Sequence, residues 1–138
     1  MKISTVKTQQ EFDAAVARGD EIHIRSNGRF YLSDSSPITI VTLGSSQPEI
    51  VMAGNSCPLI DALDISRPRI DARDSSEPRI FMWDNSQPYI ETWDDSQPYI
   101  ETWGNLYPWI VTVESLRPIV VTHGGSTNKI GGVSCTLN

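Results

Sequence analysis

Between Phe81 and Leu116 the chain concentrates two kinds of side chain that do chemistry at surfaces. The carboxylates Asp84, Glu91, Asp94, Asp95, Glu101 and Glu114 share this stretch with the rings of Trp83, Tyr89, Trp93, Tyr99, Trp103, Tyr107 and Trp109, and no Lys or Arg interrupts it. Carboxylates at this density could act as acid and base, or stand in for phosphates before a basic partner. Indole and phenol rings beside them are the side chains that anchor protein interfaces. Glycoside hydrolysis needs a dedicated carboxylate pair. The pairs present, Asp61/Asp64 and Asp71/Asp74, merely recur with the period of the sequence. His23 and His123 are isolated in the sequence, and there is no phosphate loop, zinc spacing or nucleophile motif. The Gly-Gly-x-Gly-x-Asp calcium nonapeptide is also missing. The expectation is a binding protein and not an enzyme, with no cofactor and no metal.

The elements that position these groups follow from a ten-residue repeat. Isoleucine recurs at Ile40, Ile50, Ile60, Ile70, Ile80, Ile90, Ile100 and Ile110, followed by Val120 and Ile130. Serine precedes it by four from Ser36 to Ser96, and proline by two from Pro48 to Pro118. A strict period of this kind means stacked units that cannot fold singly. Ten is even, so an extended chain returns each repeat position to the same side. Between Ser36 and Thr122, positions ending in 0 hold Ile or Val, those ending in 2 hold Thr, Met or Ala, and those ending in 6 hold Ser, with Leu106 and Leu116 replacing it, which marks them as interior. Charges fall on odd positions, except where Gly or Asp at positions ending in 4 signals a turn. Trp83, Trp93 and Trp103 share one odd phase and so point outward.

The predicted fold is all-β: a parallel β-helix, or β-solenoid, with a short N-terminal α-helical cap. Each unit is a strand from the proline to the position ending in 3, then a Gly/Asp-x-Ser corner. A coil could contain ten or twenty residues. Twenty is the expectation, because Ile from one wall then meets Ile from the other. It predicts a ladder of Ile50, Ile70, Ile90 and Ile110 facing one of Ile40, Ile60, Ile80, Ile100 and Val120. The whole of 1–138 reads as one domain: cap helix and first strands over 1–33, repeats over 34–123, and a glycine-rich closing segment over 124–138. In the cap, Thr8 and Glu11 read as a capping box, residues 9–18 as an amphipathic helix and Gly19 as its stop. Glu21–Arg25 alternates as a strand, and Asn27-Gly28 marks a turn.

Composition limits the partners. The formal charge of -6 repels free nucleic acid and attracts basic protein surfaces. The start, Met1–Gln10, lacks the apolar run of a secretory signal and no stretch reads as membrane-spanning, so no membrane partner is expected. Cys57 and Cys135 read as free thiols of a cytoplasmic protein, in a bacterial host. Arg67, Arg69, Arg73 and Arg79 among Asp61, Asp64, Asp71, Asp74 and Glu77 read as a salt-linked surface.

The units Asp84-Asn85-Ser86-Gln87-Pro88-Tyr89-Ile90-Glu91-Thr92-Trp93 and Asp94-Asp95-Ser96-Gln97-Pro98-Tyr99-Ile100-Glu101-Thr102-Trp103 resemble the decapeptide-repeat proteins of phages, prophages and bacterial genomes. The resemblance extends over roughly residues 34 to 123. The acidic solenoid surface is similar in logic to pentapeptide-repeat DNA mimics, which occupy the DNA site of gyrase, and to small acidic phage proteins that block CRISPR effector complexes. This chain departs from true pentapeptide repeats, since Pro and Ile recur every ten residues and not every five.

The resulting expectation is a non-catalytic DNA mimic, in its sharpest form an anti-CRISPR inhibitor. It would dock on a basic nucleic-acid-binding protein through Asp84, Glu91, Asp94, Asp95, Glu101, Trp83, Trp93, Trp103, Tyr89 and Tyr99. It would be a monomer or an end-to-end dimer. The alternative is a structural or carbohydrate-contacting solenoid module, as in a phage fibre or adhesin. Thr92, Thr102, Thr112 and Thr122 raise an ice-binding ladder as a third reading, which their inward phase opposes.

Overall fold

A computed structural model describes residues 2–33, 35, 37–103, 109–113, 119–123 and 134–135. The structure is mostly β, and its parallel sheets wind a β-solenoid of about 5 turns with one short N-terminal helix. The helix α1 is Gln9–Arg18. One wall is a seven-stranded sheet, here sheet A. It contains β1 (Ile3–Val6), β2 (Glu21–Ile24), β4 (Thr39–Thr42), β6 (Leu59–Ala62), β8 (Arg79–Met82), β10 (Tyr99–Trp103) and β12 (Ile119–His123), in that order. The other, sheet B, has six strands: β3 (Arg29–Leu32), β5 (Glu49–Met52), β7 (Arg69–Ala72), β9 (Tyr89–Trp93), β11 (Trp109–Val113) and β13 (Ser134–Cys135). Every pairing is parallel, and from β2 onward successive strands alternate between walls.

The coil therefore has the larger of the two sizes. Ile40 pairs with Ile60, Ile60 with Ile80 and Ile80 with Ile100 on sheet A, while Ile50, Ile70, Ile90 and Ile110 are in register on sheet B. The first coil is two residues shorter, since Ile22 pairs with Ile40. The predicted isoleucine ladders are the core: Ile40 through Ile100 are fully buried and Ile110 is 1% exposed. Each contributes roughly 1.5–3 kcal/mol of burial. Beside them the volumes alternate, with Met52 against Ala72 and Met82 against Ala62 on neighbouring strands. Ser46, Ser56, Ser66, Ser76, Ser86 and Ser96 are buried, as are Thr42, Thr92 and Thr102. The interior phase of the threonines removes a Thr92/Thr102 ladder from the surface.

From Pro48 onward, strands start one residue after the proline, at the position ending in 9, because proline has no N–H to donate. The proline carbonyls do take part: Arg69 N donates to Pro48 O at 2.8 Å and Tyr99 N to Pro78 O at 2.9 Å. Strands β3 to β8 end at the position ending in 2 and β9 to β12 at the position ending in 3, so the predicted strand end fits only the later coils.

The corners explain the Gly/Asp positions. Asp64, Asp74, Asp84 and Asp94 have φ of 56 to 57°, and Gly44 and Gly54 have φ of 65 and 62°. This left-handed conformation suits glycine and is tolerated by aspartate. Each aspartate also reaches back one coil. Asp64 Oδ2 accepts from Gly44 N and Asp74 Oδ2 from Gly54 N, both at 2.8 Å. Asp84 Oδ2 accepts from Asp64 N at 3.1 Å and Asp94 Oδ2 from Asp74 N at 3.3 Å. A carboxylate ladder thus runs up each corner.

The N-terminal end is covered as predicted. Thr8 Oγ1 accepts from Glu11 N, the Glu11 carboxylate accepts from Thr8 N, and Gly19 closes the helix with φ of 73°. Phe12 is fully buried against Phe30, with ring centroids 5.3 Å apart. Gln9 blocks the edge of sheet B. Its Oε1 accepts from Tyr31 N at 2.7 Å and its Nε2 donates to Tyr31 O at 3.0 Å, much as a neighbouring strand would. Strand β1 was not foreseen. It pairs with β2 across the helix, so no local pattern reveals it. Apart from β13, the closing segment 124–138 lies outside the described residues, as do Tyr107, Leu106, Glu114 and Leu116.

Candidate docking face

Alternation of walls divides the residues that look like one flank in sequence. Trp83, Tyr99, Glu101 and Trp103 lie on the outer face of sheet A. Tyr89, Glu91 and Trp93 lie on the opposite face, on sheet B. Asp84 sits at the corner that leaves sheet A, and Asp94 and Asp95 at the corner that leaves sheet B. The ten residues therefore do not form a single surface. Nor is the stretch remote from arginine, because each strand stacks on the one twenty residues earlier.

On sheet B that earlier strand supplies cations. Arg69 Nη2 donates to Glu91 Oε2 at 3.2 Å, and its Cζ lies 5.3 Å from the Tyr89 ring centroid. Arg73 Nη2 donates to Asp71 Oδ2 at 3.0 Å, and its Cζ lies 5.5 Å from the Trp93 centroid. Hydrogen bonds to Glu91 and Asp71 raise the pKa of Arg69 and Arg73 respectively. Of the salt-linked surface expected of the earlier decades, Arg73–Asp71 forms; Arg69 pairs instead with Glu91, Arg79 lies on the other wall over Tyr99, and Asp61, Asp64 and Asp74 accept from an indole and from backbone N–H groups. Trp109, in register with Tyr89, is 52% exposed at its C-terminal end.

On sheet A the outward residues form three columns across the strands. Leu43, Leu63, Trp83, Trp103 and His123 make one edge; Val41, Asp61, Phe81, Glu101 and Val121 run down the middle; Thr39, Leu59, Arg79, Tyr99 and Ile119 complete the other side. Trp83 and Trp103 stack at 4.8 Å with 3° between their planes, and His123 stacks on Trp103 at 3.9 Å and 14°. Trp103 is 36% and Ile119 50% exposed. Trp83 Nε1 donates to Asp61 Oδ1 at 3.2 Å. Burial pushes the Asp61 carboxyl above its ordinary value; the indole donor pulls it back, and the charge of Glu21 pushes it further up. Tyr99 Oη donates to Glu101 Oε1 at 3.2 Å, and His123 Nε2 lies 3.2 Å from the same oxygen. Burial, and then the Glu101 charge, raise the Tyr99 phenol. Arg79 lies over Tyr99, 5.5 Å from its centroid.

Sequence spacing missed Asp61, Phe81 and Arg79 as members of this face, and read His123 as isolated. The signal was present in the offset: His123 is twenty residues from Trp103, and Phe81 twenty from Glu101. The two carboxylates of the middle column, Asp61 and Glu101, are separated by the position of Phe81, so they do not face one another across a cleft. Among the described residues no group of three His, Cys, Asp or Glu side chains could hold a metal ion, and no helix is long and apolar enough to cross a membrane. No protein-family model matches the chain, and neither a curated protein nor a solved structure is significantly similar to it.

Proposed function

We propose that the chain is a non-catalytic docking protein that binds through the outer face of sheet A. Its partner would be a protein with a basic, nucleic-acid-binding surface. The observation that carries this reading is one field on sheet A, made of half-buried Phe81, Trp83 and Tyr99 with exposed Trp103 and Ile119. Such side chains, held in place at no further entropic cost, are what interface anchors require. The charge of -6 favours a basic partner and speeds encounter with it. Asp84 and Asp94 each accept a backbone N–H, and with Asp95 they add acidic corners beside the anchors.

The sharpest form is competition with nucleic acid for its binding protein, with a CRISPR effector complex as the target. Displacement of labelled DNA from such complexes tests it. The reading expects release of DNA, weakened at least tenfold by W83A/W103A and unaffected by the sheet B variant W109A. DNA retained at saturating protein would remove the effector version. The carbohydrate reading has less support, because Trp83 and Trp103 turn their flat faces to each other and to His123, not to solvent. A sugar ring needs such a face to stack on.

A further inference from the structure

The segment Tyr-Ile-Glu-Thr-Trp occurs twice, at 89–93 on sheet B and at 99–103 on sheet A. The first copy already shows which group fits it. Arg69 binds Glu91 through a hydrogen bond while lying over Tyr89, so a guanidinium satisfies carboxylate and ring together. Arg73 covers Trp93. In the second copy, the strand before it supplies Arg79 over Tyr99, but Phe81 and Trp83 stand where Asp71 and Arg73 stand on the other wall. No arginine reaches Glu101 among the described residues. Its Oε1 takes both protein contacts, Tyr99 Oη and His123 Nε2, and its Oε2 makes no hydrogen bond among the described residues. The side chain remains 21% exposed, with Tyr99 and Trp103 two positions away on the same strand and Phe81 and Val121 on either side.

Resting on the docking reading above, we infer that Tyr99, Glu101 and Trp103 receive one arginine side chain of the partner. Its guanidinium would donate to Glu101 Oε2 and pass the edges of Tyr99 and Trp103, because Arg79 lies over the Tyr99 ring and Trp83 and His123 take the faces of Trp103. A planar, forked donor suits a carboxylate held between two ring edges better than an ammonium. His123 and Arg79 already face the site, and the His123 contact is to Oε1, which leaves Oε2 open.

The probe is Nα-acetyl-arginine amide, with the uncharged isostere Nα-acetyl-citrulline amide as control, titrated into the full chain and followed at the four tryptophan indole N–H signals by NMR. The arginine probe should shift Trp103, and citrulline should not. E101Q should weaken binding roughly tenfold, the loss of one charge-assisted hydrogen bond. R69A should create a second site, visible at Trp93. If E101Q does not fold, Val121→Lys, which sets an ammonium beside Glu101 from the adjacent strand, should compete with the probe instead. Equal binding by E101Q, no competition in V121K, or shifts confined to Trp93 or Trp109 would overturn the inference. None of these outcomes involves the partner. Failure of the probe leaves sheet A docking to be decided by W83A/W103A, and failure of that variant leaves the arginine site to be decided here.

Discussion

The two copies of Tyr-Ile-Glu-Thr-Trp are chemically identical and sit in unlike surroundings. At 89–93 the segment lies on Arg69 and Arg73 and becomes a salt-linked surface. At 99–103 it lies on Phe81 and Trp83 and becomes part of an aromatic field around one acid. In a solenoid with twenty residues per coil, the meaning of an outward residue is set by the residue twenty positions before it. Sequence neighbours ten apart occupy opposite walls and do not interact. The inner layers and the corners, by contrast, are alike on both sides.

The largest effects should show that likeness. I90A and I100A each remove a fully buried isoleucine, one per wall. Both should cost about 2–5 kcal/mol in urea unfolding, and the two values should agree closely. A large difference would mean that the walls are not equivalent inside.

Corner substitutions should come next. D84A and D94A each force alanine into φ of 57° and remove a carboxylate from a backbone N–H one coil earlier. Each should lose about 1–2 kcal/mol, with D84N and D94N nearer wild type, since asparagine tolerates this conformation. Equal losses for alanine and asparagine would show that the conformation itself carries no cost.

The outer faces should then separate. A double-mutant cycle on Trp83 and Trp103 should give a coupling of about 0.5–1.5 kcal/mol, as expected for stacked rings. The same cycle on Trp93 and Trp103 should give none, because these side chains project from opposite walls. Coupling between Trp93 and Trp103 would place them on one surface.

The smallest effect is a dependence on pH that only sheet A carries through Asp61. Its carboxyl is held above the ordinary 3.8, so the folded state binds the proton more tightly than the unfolded chain. The stabilisation is complete below about that value and is lost as pH rises through the folded pKa. D61N should remove this fall from the stability–pH curve, with the indole of Trp83 still able to donate to the amide oxygen. An unchanged curve in D61N would exclude Asp61 as its source.

Much of the fold was legible because its rules are local or strictly periodic. Even spacing placed the isoleucines, serines and threonines inside, and Thr8 with Glu11 fixed the start of the helix. Glycine and aspartate at every tenth place marked the corners, though not the carboxylate's reach to the coil before. The candidate site was legible only in part. Parity says whether Trp83, Trp93 and Trp103 face in or out, but the wall depends on how many decades make a coil. Carrying the twenty-residue coil through to the outer residues separates Trp93 from the other two and brings His123 onto Trp103. Strand β1 had no local signature, since its partner lies beyond the helix.

Alternation of walls is tested most directly by spin labels at exposed corners, in a chain whose cysteines have been replaced. Ile65 and Asn85 occupy the same corner one coil apart, whereas Asp95 follows from the other wall. Labels at 65 and 85 should show strong dipolar broadening, from backbones about 4.8 Å apart, and labels at 85 and 95 should show far less. Equal broadening in the two pairs would contradict the twenty-residue coil and with it the separation of the two faces.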